Sequence, residues 1–215
     1  MQSSYSVMYF RAKDEQRLVK DIFAFRKALF VDIYDWDLEI VSDGEQDRFD
    51  NPDTIYSVLY NHGRFVGMFR AIRADQPYLG ETVFPELSKL RPYPKSREFW
   101  EISRFGVVPD VGIRHAEMNY AAMIYFALRV GAKGLVAVAD LTYERFLSML
   151  GIRSVRYGAP QVIGRSRNGL PLTAVAGEIP LAEQTSPKFH RFLSLIEKLE
   201  IRDVSQIFGP SRISA

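Results

Sequence analysis

The second half of the sequence alternates between apolar runs of strand length and segments with helical spacing, and this alternation most restricts the fold. Residues 99–108 form an aromatic and β-branched run that Pro109 would end, and residues 135–139 form a second apolar run. Between them, residues 114–131 repeat apolar side chains at helical intervals and end in a glycine. Because strands that alternate with helices pack into layers, the sequence predicts an α/β fold with a mixed, twisted sheet flanked by helices.

The first half adds a helix and a hairpin to this prediction. Residues 13–33 repeat apolar side chains at helical intervals. Residues 54–60 and 65–73 are aromatic and β-branched runs, and the short spacer between them contains asparagine and glycine, which is typical of a β-hairpin. We also expect a first strand at residues 5–10, a loop at 35–53, helical turns at 81–87, a helix at 142–150, short strands within 152–178, a final helix at 187–200 and a loosely held tail at 201–215.

The composition is that of one globular domain spanning residues 1–215. Apolar residues make up 47% of the chain and charged residues 25%, and there is no internal repeat. The absence of cysteine excludes disulfides, thiolate nucleophiles and cysteine-ligated zinc, and it favours a reducing compartment. No apolar run approaches the roughly 18 residues of a membrane span and no secretory signal is visible, so we expect a cytoplasmic protein.

The sequence lacks the residue patterns that several kinds of catalysis require. The histidines, His62, His115 and His190, are scattered without a second ligand type at metal spacing, so we expect no metal site. There is no phosphate-binding glycine loop and no serine elbow between a strand and a helix. Covalent catalysis by serine or cysteine is therefore not expected.

The net charge of +2 conceals two oppositely charged segments. Residues 32–53 contain nine acidic residues and one arginine, a local net charge of −8, whereas residues 145–167 contain five arginines and no acid, a local net charge of +5. Both are either solvated surfaces or binding surfaces, the acidic one for a cationic small molecule and the basic one for an acidic macromolecule. Because no nucleic-acid-binding motif accompanies the arginines, an acidic protein is at least as good a partner as a nucleic acid.

The strand at residues 99–105 has a charged residue on each face. Strict alternation places Phe99, Glu101, Ser103 and Phe105 on one side and Trp100, Ile102 and Arg104 on the other. A charge in a central strand is costly unless it finds a partner. Glu101 and Arg104 are therefore either structural partners of the loop at 35–53, or Glu101 is a carboxylate placed to take a proton.

Seven pieces of the sequence follow one order and spacing: Arg26, Phe30, Trp36, Glu45-Gln46-Asp47-Arg48-Phe49-Asp50, Arg70, Val83-Phe84-Pro85 and Trp100-Glu101-Ile102-Ser103-Arg104-Phe105. In this register they resemble the signature of the acyl-homoserine-lactone synthases, the LuxI-type autoinducer synthases of quorum sensing. The resemblance is close over residues 26–105 and weaker through Glu144, Arg145 and Gly151 to about residue 177.

The resemblance implies an N-acetyltransferase-like (GNAT-like) fold whose sheet opens into a V-shaped cleft. It implies that the amine of S-adenosylmethionine is acylated by an acyl thioester, on acyl-carrier protein or coenzyme A, and that the product closes to an N-acyl-homoserine lactone and methylthioadenosine. S-Adenosylmethionine and the acyl thioester are both substrates, so we expect no cofactor. We also expect no nucleic-acid partner, and we expect the protein to be a monomer. The competing hypotheses are an N-acyltransferase for another amine and a non-catalytic partner of a carrier protein.

The resemblance also implies residue roles. The catalytic set is Glu101, Ser103 and Arg104, with Glu101 as the general base for the amine. Backbone N–H groups between Ser103 and Gly106 would stabilise the thioester oxyanion if the strand bulges there. The predicted substrate-binding residues are Arg26, Phe30, Trp36, Glu45, Asp47, Asp50, Arg70, Phe84, Trp100 and Phe105.

Some of these roles have structural alternatives. Glu45, Asp47 and Asp50 would form an acidic lining suited to a sulfonium and an ammonium. Arg26, Arg70 and Arg104 either bind the substrate carboxylate or brace the acidic loop, and Phe30 and Trp36 either border the pocket or belong to the core. The predicted acyl pocket, otherwise ordinary core, is Met123, Phe126, Tyr143, Phe146 and Leu147. The predicted carrier-docking residues are Arg145, Arg153, Arg156, Arg165 and Arg167.

The segment after the charged strand bears on the acyl donor. Coenzyme-A acetyltransferases usually have a glycine-rich loop here whose amides bind the pyrophosphate. Aligned on Gly112, this chain has Pro109 and Arg114 at the ends of that loop, and proline donates no N–H. This favours a carrier protein. Two positions depart from the pattern of many relatives, which have threonine or serine there. One is Ala74, four residues after Arg70. The other is around Ala139 and Asp140, where the family's threonine or serine is linked to 3-oxo acyl chains, so the sequence does not indicate a 3-oxo preference.

Overall fold

The computed structural model describes residues 4–109 and 113–209, in which eleven strands and five α-helices are found. The strands are β1 (Tyr5–Arg11), β2 (Ile40–Val41), β3 (Gly44–Glu45), β4 (Ile55–Asn61), β5 (Arg64–Arg73), β6 (Phe99–Val107), β7 (Gly134–Ala139), β8 (Val155–Arg156), β9 (Gln161–Arg165), β10 (Pro171–Pro180) and β11 (Leu199–Asp203). The α-helices are α1 (Gln16–Arg26), α2 (Leu79–Val83), α3 (Arg114–Arg129), α4 (Leu141–Leu150) and α5 (Pro187–Leu193). None of the helices in these two ranges is both long enough and apolar enough to cross a membrane.

Nine strands form one sheet in the order β11-β1-β4-β5-β6-β7-β10-β8, with β9 paired to β10. The β1–β11 and β6–β7 pairs are parallel, and the other pairs in the sheet are antiparallel. β2 and β3 form a separate short hairpin within the loop predicted at residues 35–53. The predicted mixed sheet flanked by helices is confirmed.

The sheet opens between its two central parallel strands. β6 and β7 pair only through residues 99–101 and 134–136. Beyond this contact, Ser103 and Phe105 of β6 border the same cleft as Ala137 and Ala139 of β7. The separation of the two strands is the V-shaped cleft that the resemblance implies.

Helix α3 forms the core beneath one arm of the sheet. Its Met118, Ala122 and Phe126 are fully buried with Tyr9 of β1 and Phe69 of β5. The Tyr9 hydroxyl donates to the carbonyl of Ala122 at 2.7 Å, which satisfies its one polar atom inside the core. This packing holds β5 and β6 in place at the edge of the cleft.

The helix predicted at residues 13–33 begins at Gln16 and changes character after α1. A π-helical segment, Lys27–Ile33, follows it, and the N–H of Tyr34 donates to the carbonyl of Leu29 at 3.0 Å. The wider turns direct Leu29, Phe30 and Val31 inward, where all three are buried. Short π segments occur frequently at functional sites, and this one supplies Phe30 to the cleft.

The remaining predicted elements agree with the structure except at the C-terminus. The expected helix at 187–200 is wrong, because α5 ends at Leu193 and a 3-10 turn leads into β11. The expected loose tail is wrong for residues 201–209, since Ile201 of β11 pairs with Val7 of β1 and Phe208 packs on Tyr9. Leu199–Asp203 alternates apolar and charged residues with the period of a strand. Residues 210–215 lie outside the described part.

Candidate active site

A cleft of about 400 Å³ lies where β6 and β7 separate. Both arms of the sheet, the π-helical segment and α2 contribute to its largely apolar walls. Of the residues predicted to bind or react, those that line it are Phe30, Trp36, Phe84, Ser103, Arg104, Phe105, Met123, Tyr143, Leu147, Arg156 and Arg165. Within the two described ranges, no group of three or more His, Asp or Glu side chains is placed to hold a metal ion.

β6 has a bulge where it borders the cleft. Ser103 pairs with Arg70 and Gly106 pairs with Met68, so that two residues of β6 lie opposite one residue of β5. Arg104 lies in the bulge with a φ of +50°, in the left-handed region. The regular ladder of N–H groups is therefore interrupted between residues 103 and 106.

The bulge overturns the strict alternation predicted for this strand. Arg104 lies on the same side as Ser103 and pairs with Glu45, whereas Phe105 packs 4.4 Å from the ring of Tyr120 on the α3 side. The predicted faces of Arg104 and Phe105 are wrong because one extra residue shifts the two-residue period. The bulge also meets the condition for oxyanion donors at residues 103–106, whose role stays a prediction.

Three arginines and three carboxylates form a buried ionic network behind the wall of the cleft. Arg26, with no exposed side-chain surface, lies 2.6 Å from Glu45 and 2.8 Å from Asp50. Arg104 donates to both oxygens of Glu45, at 2.8 and 3.0 Å, and lies 2.8 Å from Asp47. Burial opposes the charged form of Glu45, but the hydrogen bonds and charges of the two arginines outweigh it and lower the pKa of this carboxyl.

Arg70 joins the other half of the network to β6. Its Nη1 lies 2.6 Å from Asp47 and 2.8 Å from Asp50, and its Nε donates to the hydroxyl of Ser103 at 3.0 Å. Burial again opposes the charge on Asp50, but Arg70 and Arg26 hold the pKa of this carboxyl far below its usual range. In the described part of the chain, Nη2 of Arg70 is buried without a hydrogen-bond partner. This guanidinium therefore keeps donors for a further anionic group.

The network changes what the acidic loop can do. Three cations balance three anions, and the side chains of Glu45 and Asp50 are 1% exposed while that of Asp47 is 19% exposed. The arginines neutralise these carboxylates, and none of the three is among the residues that line the cleft, so their role as an acidic lining for the substrate stays a prediction. The arginines brace the acidic loop, and their contact with a substrate carboxylate stays a prediction.

Glu101 lies beside this network, is 1% exposed and is not paired with the loop at 35–53. Its Oε1 accepts the N–H of Gly80 at 2.7 Å and its Oε2 accepts the N–H of Leu79 at 3.1 Å. Burial raises the pKa of Glu101, although these N–H groups and the charge of Arg70 oppose the change. Because a carboxylate has about four acceptor positions, Glu101 keeps lone pairs that can take a proton.

The start of α2 is the part of the site that sequence reasoning missed. A Cβ added to Gly80 would lie 3.2 Å from the ring of Tyr93 and 3.4 Å from Oε1 of Glu101, so glycine permits the close approach of this backbone. Leu79 and Val83 of the same helix line the cleft. The one signal in the sequence is the glycine itself, which permits another group to approach the backbone closely. The group that does so, the carboxylate of Glu101, is on a strand about 20 residues later, and only the fold identifies it.

Phe30 and Trp36 form an aromatic wall at one side of the cleft. Their rings are stacked, with centroids 5.1 Å apart and planes inclined by 15°. Phe30 is fully buried and Trp36 is half-buried, and both border the cleft. Phe30 therefore belongs to the core and also borders the pocket, so both alternatives stated for it apply. Phe84 borders the same cleft.

The predicted acyl pocket is partly in the cleft. Its members that line the cleft are Met123, Tyr143 and Leu147. Phe126 is fully buried and meets Trp100 edge to face at 5.2 Å, and Phe146 stacks on Tyr120 at 5.3 Å. Phe126, Phe146 and Trp100 are not among the residues that line the cleft, and their contact with a substrate stays a prediction.

The basic segment is largely compensated. Its ion pairs are Arg153 with Glu183 at 3.0 Å, Arg156 with Glu144 at 2.5 Å and Arg167 with Asp35 at 3.0 Å. Arg145 and Arg165 are exposed, and no ion pair to them is found among the residues that the structure covers. Gly112, used for the comparison with coenzyme-A loops, lies outside the described residues.

The comparisons with known proteins agree with this geometry. A model of the autoinducer synthase family matches residues 10–186. An acyl-homoserine-lactone synthase of Acinetobacter nosocomialis is 34% identical over 151 residues, which are 65% of this chain and 82% of that relative. The crystal structure of TofI in a ternary complex with an inhibitor and MTA has a TM-score of 0.73 and 26% identity, and covers 88% of this chain and 99% of TofI. BjaI, a CoA-dependent acyl-homoserine lactone synthase solved with SAM and isopentyl-CoA, has a TM-score of 0.76 at 23% identity, over 92% of this chain and 93% of BjaI.

Proposed function

The chain belongs to the autoinducer synthase family, and from this premise we propose how its cleft performs the reaction of an acyl-homoserine-lactone synthase. The enzyme transfers an acyl group from a thioester to the amine of S-adenosylmethionine. The acylated product then closes to an N-acyl-homoserine lactone and releases methylthioadenosine. The single observation that supports our assignment of roles is that the β6 bulge and the Phe30–Trp36 wall border one cleft, while the buried Glu101 accepts the N–H of Leu79, which lines that cleft.

S-Adenosylmethionine binds, in this proposal, between the aromatic wall and the arginine network. Because the network is electrically balanced, the sulfonium gains its stabilisation by cation–π attraction to the half-buried ring of Trp36, which Phe30 supports from behind. Arg104, the arginine of the network that borders the cleft, suits the methionyl carboxylate, and Nη2 of Arg70, which has no hydrogen-bond partner among the described residues, adds positive charge behind it. This arrangement directs the amine towards β6.

Glu101 acts as the general base for the amine. A free α-amine has a pKa near 8, so a modest attraction for its proton is enough to make it a nucleophile. Burial raises the pKa of Glu101 and makes it a better base than an exposed glutamate. The amine nitrogen attacks the thioester carbonyl carbon, its proton passes to Glu101 directly or through water, and the carbon–sulfur bond breaks to release the thiol.

The bulge supplies the stabilisation of the tetrahedral intermediate. In this proposal, N–H groups of residues 103–106, where the bulge interrupts the ladder, donate to the thioester oxygen as negative charge develops on it. After acyl transfer, the methionyl carboxylate attacks its own γ-carbon and the bond to the sulfonium sulfur breaks. Methylthioadenosine leaves as a neutral thioether, so lactone closure needs no further acid or base.

The acyl chain occupies the apolar part of the cleft that Met123, Tyr143 and Leu147 line. As donor we propose an acyl-carrier protein. Pro109 provides no N–H for a coenzyme-A pyrophosphate, and the exposed Arg145 and Arg165 suit an acidic carrier.

Product analysis tests the proposal. The purified protein is incubated with S-adenosylmethionine and a panel of acyl thioesters on carrier protein and on coenzyme A. We expect equal amounts of methylthioadenosine and acyl-homoserine lactone by mass spectrometry. Release of free thiol without either product would contradict the function, and acyl transfer that does not depend on S-adenosylmethionine would indicate another amine substrate.

A further inference from the structure

The two arms of the open sheet meet again at the mouth of the cleft, through a contact that the mechanism does not use. Asp35 follows the π-helical segment on one arm, and residues 166–169 form the turn between β9 and β10 on the other. The carboxylate of Asp35 accepts hydrogen bonds from Nε of Arg167 at 3.0 Å, and from the backbone N–H and side-chain amide of Asn168 at 3.0 and 2.6 Å. We call Asp35, Arg167 and Asn168 the clasp.

Hydrogen bonds to backbone carbonyls also join the two segments of the clasp. The N–H of Arg167 donates to the carbonyl of Asp35 at 3.0 Å, and Nη2 of Arg167 donates to the carbonyl of Val31 at 2.5 Å. Asp35 has a φ of +59°, a left-handed conformation that aspartate tolerates better than most residues. A single exposed ion pair contributes little, but this contact combines an ion pair with four further hydrogen bonds between two distant segments.

The clasp lies directly beside the aromatic wall. Trp36 is the next residue after Asp35 and forms an isolated antiparallel bridge with Ser166. Its N–H donates to the carbonyl of Phe30 at 2.9 Å, and its ring stacks on that of Phe30. Trp36 and Arg165, on the two sides of the contact, both line the cleft, whereas none of the clasp residues does.

We propose that the clasp is a positioning device, by which the arm that receives the acyl donor holds Trp36 against the S-adenosylmethionine site. The inference rests on the proposed function of the cleft. Arg167, predicted from the sequence to dock a carrier protein, is in this account a positioning residue that acts through Trp36. Preorganisation of a binding wall lowers the cost of ordering it when the ligand arrives, so loss of the clasp should weaken S-adenosylmethionine binding more than it affects the acyl donor.

Initial rates of clasp variants test this. We expect Asp35→Ala to raise the KM for S-adenosylmethionine about tenfold, with less than about a twofold change in the KM for the acyl donor. Asp35→Asn retains the shape and the left-handed tendency and should give an intermediate value. The matched control is Asp53→Ala, which removes a carboxylate from an exposed pair with Lys13 that is outside the cleft. Unchanged KM values in Asp35→Ala overturn the proposal.

A binding measurement separates this inference from the function itself. In a Trp100→Phe background Trp36 is the only tryptophan, so its fluorescence reports the wall directly. We expect methylthioadenosine to change this fluorescence with an affinity that Asp35→Ala and Arg167→Ala each weaken about tenfold. The double variant should be no weaker than either single variant, because one contact is lost in all three. Additive losses overturn the clasp, whereas a wild-type protein that binds methylthioadenosine but makes no lactone overturns the function and leaves the clasp standing.

Discussion

At the scale of single residues, Glu101 differs from Glu45, Asp47 and Asp50, which pair with arginines, because the hydrogen bonds that it accepts within the described residues come from backbone N–H groups. It accepts two backbone N–H groups, and burial raises its pKa. We expect Glu101→Gln to lower kcat/KM by about 10²-fold or more, because an amide cannot accept the proton of the amine. Methylthioadenosine release measures the rate, and turnover at the wild-type rate would exclude Glu101 as the base.

The pH dependence provides a second test of the same carboxyl. A general base acts when it is deprotonated, so activity falls on the acid side as Glu101 gains a proton. Because its pKa is raised, that fall should begin above the pH of about 4.3 at which an ordinary glutamate titrates. In Glu101→Gln this step should disappear from the profile of kcat/KM, while the step from the substrate amine near pH 8 remains.

The pKa of Asp50 is shifted in the opposite direction from that of Glu101. Arg70 and Arg26 lower its pKa, so its contribution to stability is present above the unfolded pKa of about 3.9 and is lost as the pH falls through the folded value. Removing one partner from a buried pair costs about 3–5 kcal/mol, and we expect Asp50→Asn to lower the free energy of unfolding by that amount at pH 7. Urea denaturation measures it, with exposed Asp53→Asn as the control. Equal stabilities of the two variants would contradict the buried network.

At the scale of elements, the periodicity of apolar residues predicted those helices and strands whose form depends on local sequence. The β4–β5 hairpin, β6, α3, β7 and α4 lie within two residues of their predicted bounds. The bulge was not predictable, since residues 99–105 alternate in the sequence and only the register with β5 reveals the extra residue. β11 was missed: its first two residues were assigned to the final helix and the other three to the tail, because a segment this short has no decisive period and only its pairing with β1 identifies it as a strand.

The candidate site also has a part that the sequence predicts and a part that only the fold reveals. The motif residues of the cleft wall were predictable as a set, but not which carboxylates the arginines neutralise. Glu101 and Arg104 are three residues apart in the chain, yet one accepts backbone N–H groups of α2 and the other pairs with Glu45. Each partner comes from a segment 20 or more residues away. Such contacts are set by tertiary packing, which overrides the local pattern.

Gly106 links the bulge to the aromatic wall. A Cβ there would lie 2.5 Å from Cδ2 of Leu29 and 3.1 Å from Cζ of Phe30, both in buried side chains. We expect Gly106→Ala to cost about 1–3 kcal/mol by overpacking and to raise the KM for S-adenosylmethionine, because Phe30 must move. Thermal unfolding and initial rates measure the two effects. The double variant with Leu29→Ala should recover part of the loss, and strictly additive costs would show that no clash exists.

At the scale of the whole molecule, the two charged segments are partners as well as surfaces. Asp35 of the acidic segment binds Arg167 of the basic one, and the acids at 45, 47 and 50 are neutralised by arginines from elsewhere in the chain. Local charge counts therefore overstate the fields that the folded protein presents to its substrates. What remains available on the basic segment is Arg145 and Arg165, together with Arg153, whose pair with Glu183 is exposed.

Charge reversal at these positions tests the proposed acyl-carrier donor. We expect Arg145→Glu with Arg153→Glu to raise the KM for a carrier-bound acyl donor about tenfold, because like charges then face an acidic partner, and to leave the KM for a small acyl thioester unchanged. The matched control is Lys13→Glu, which reverses an exposed lysine that pairs with Asp53, outside the basic segment. The effect should shrink as ionic strength rises, since the Debye length falls from about 10 Å at 0.1 M to 3 Å at 1 M. Equal changes for both donors would remove the docking role, and initial rates with each donor decide between the outcomes.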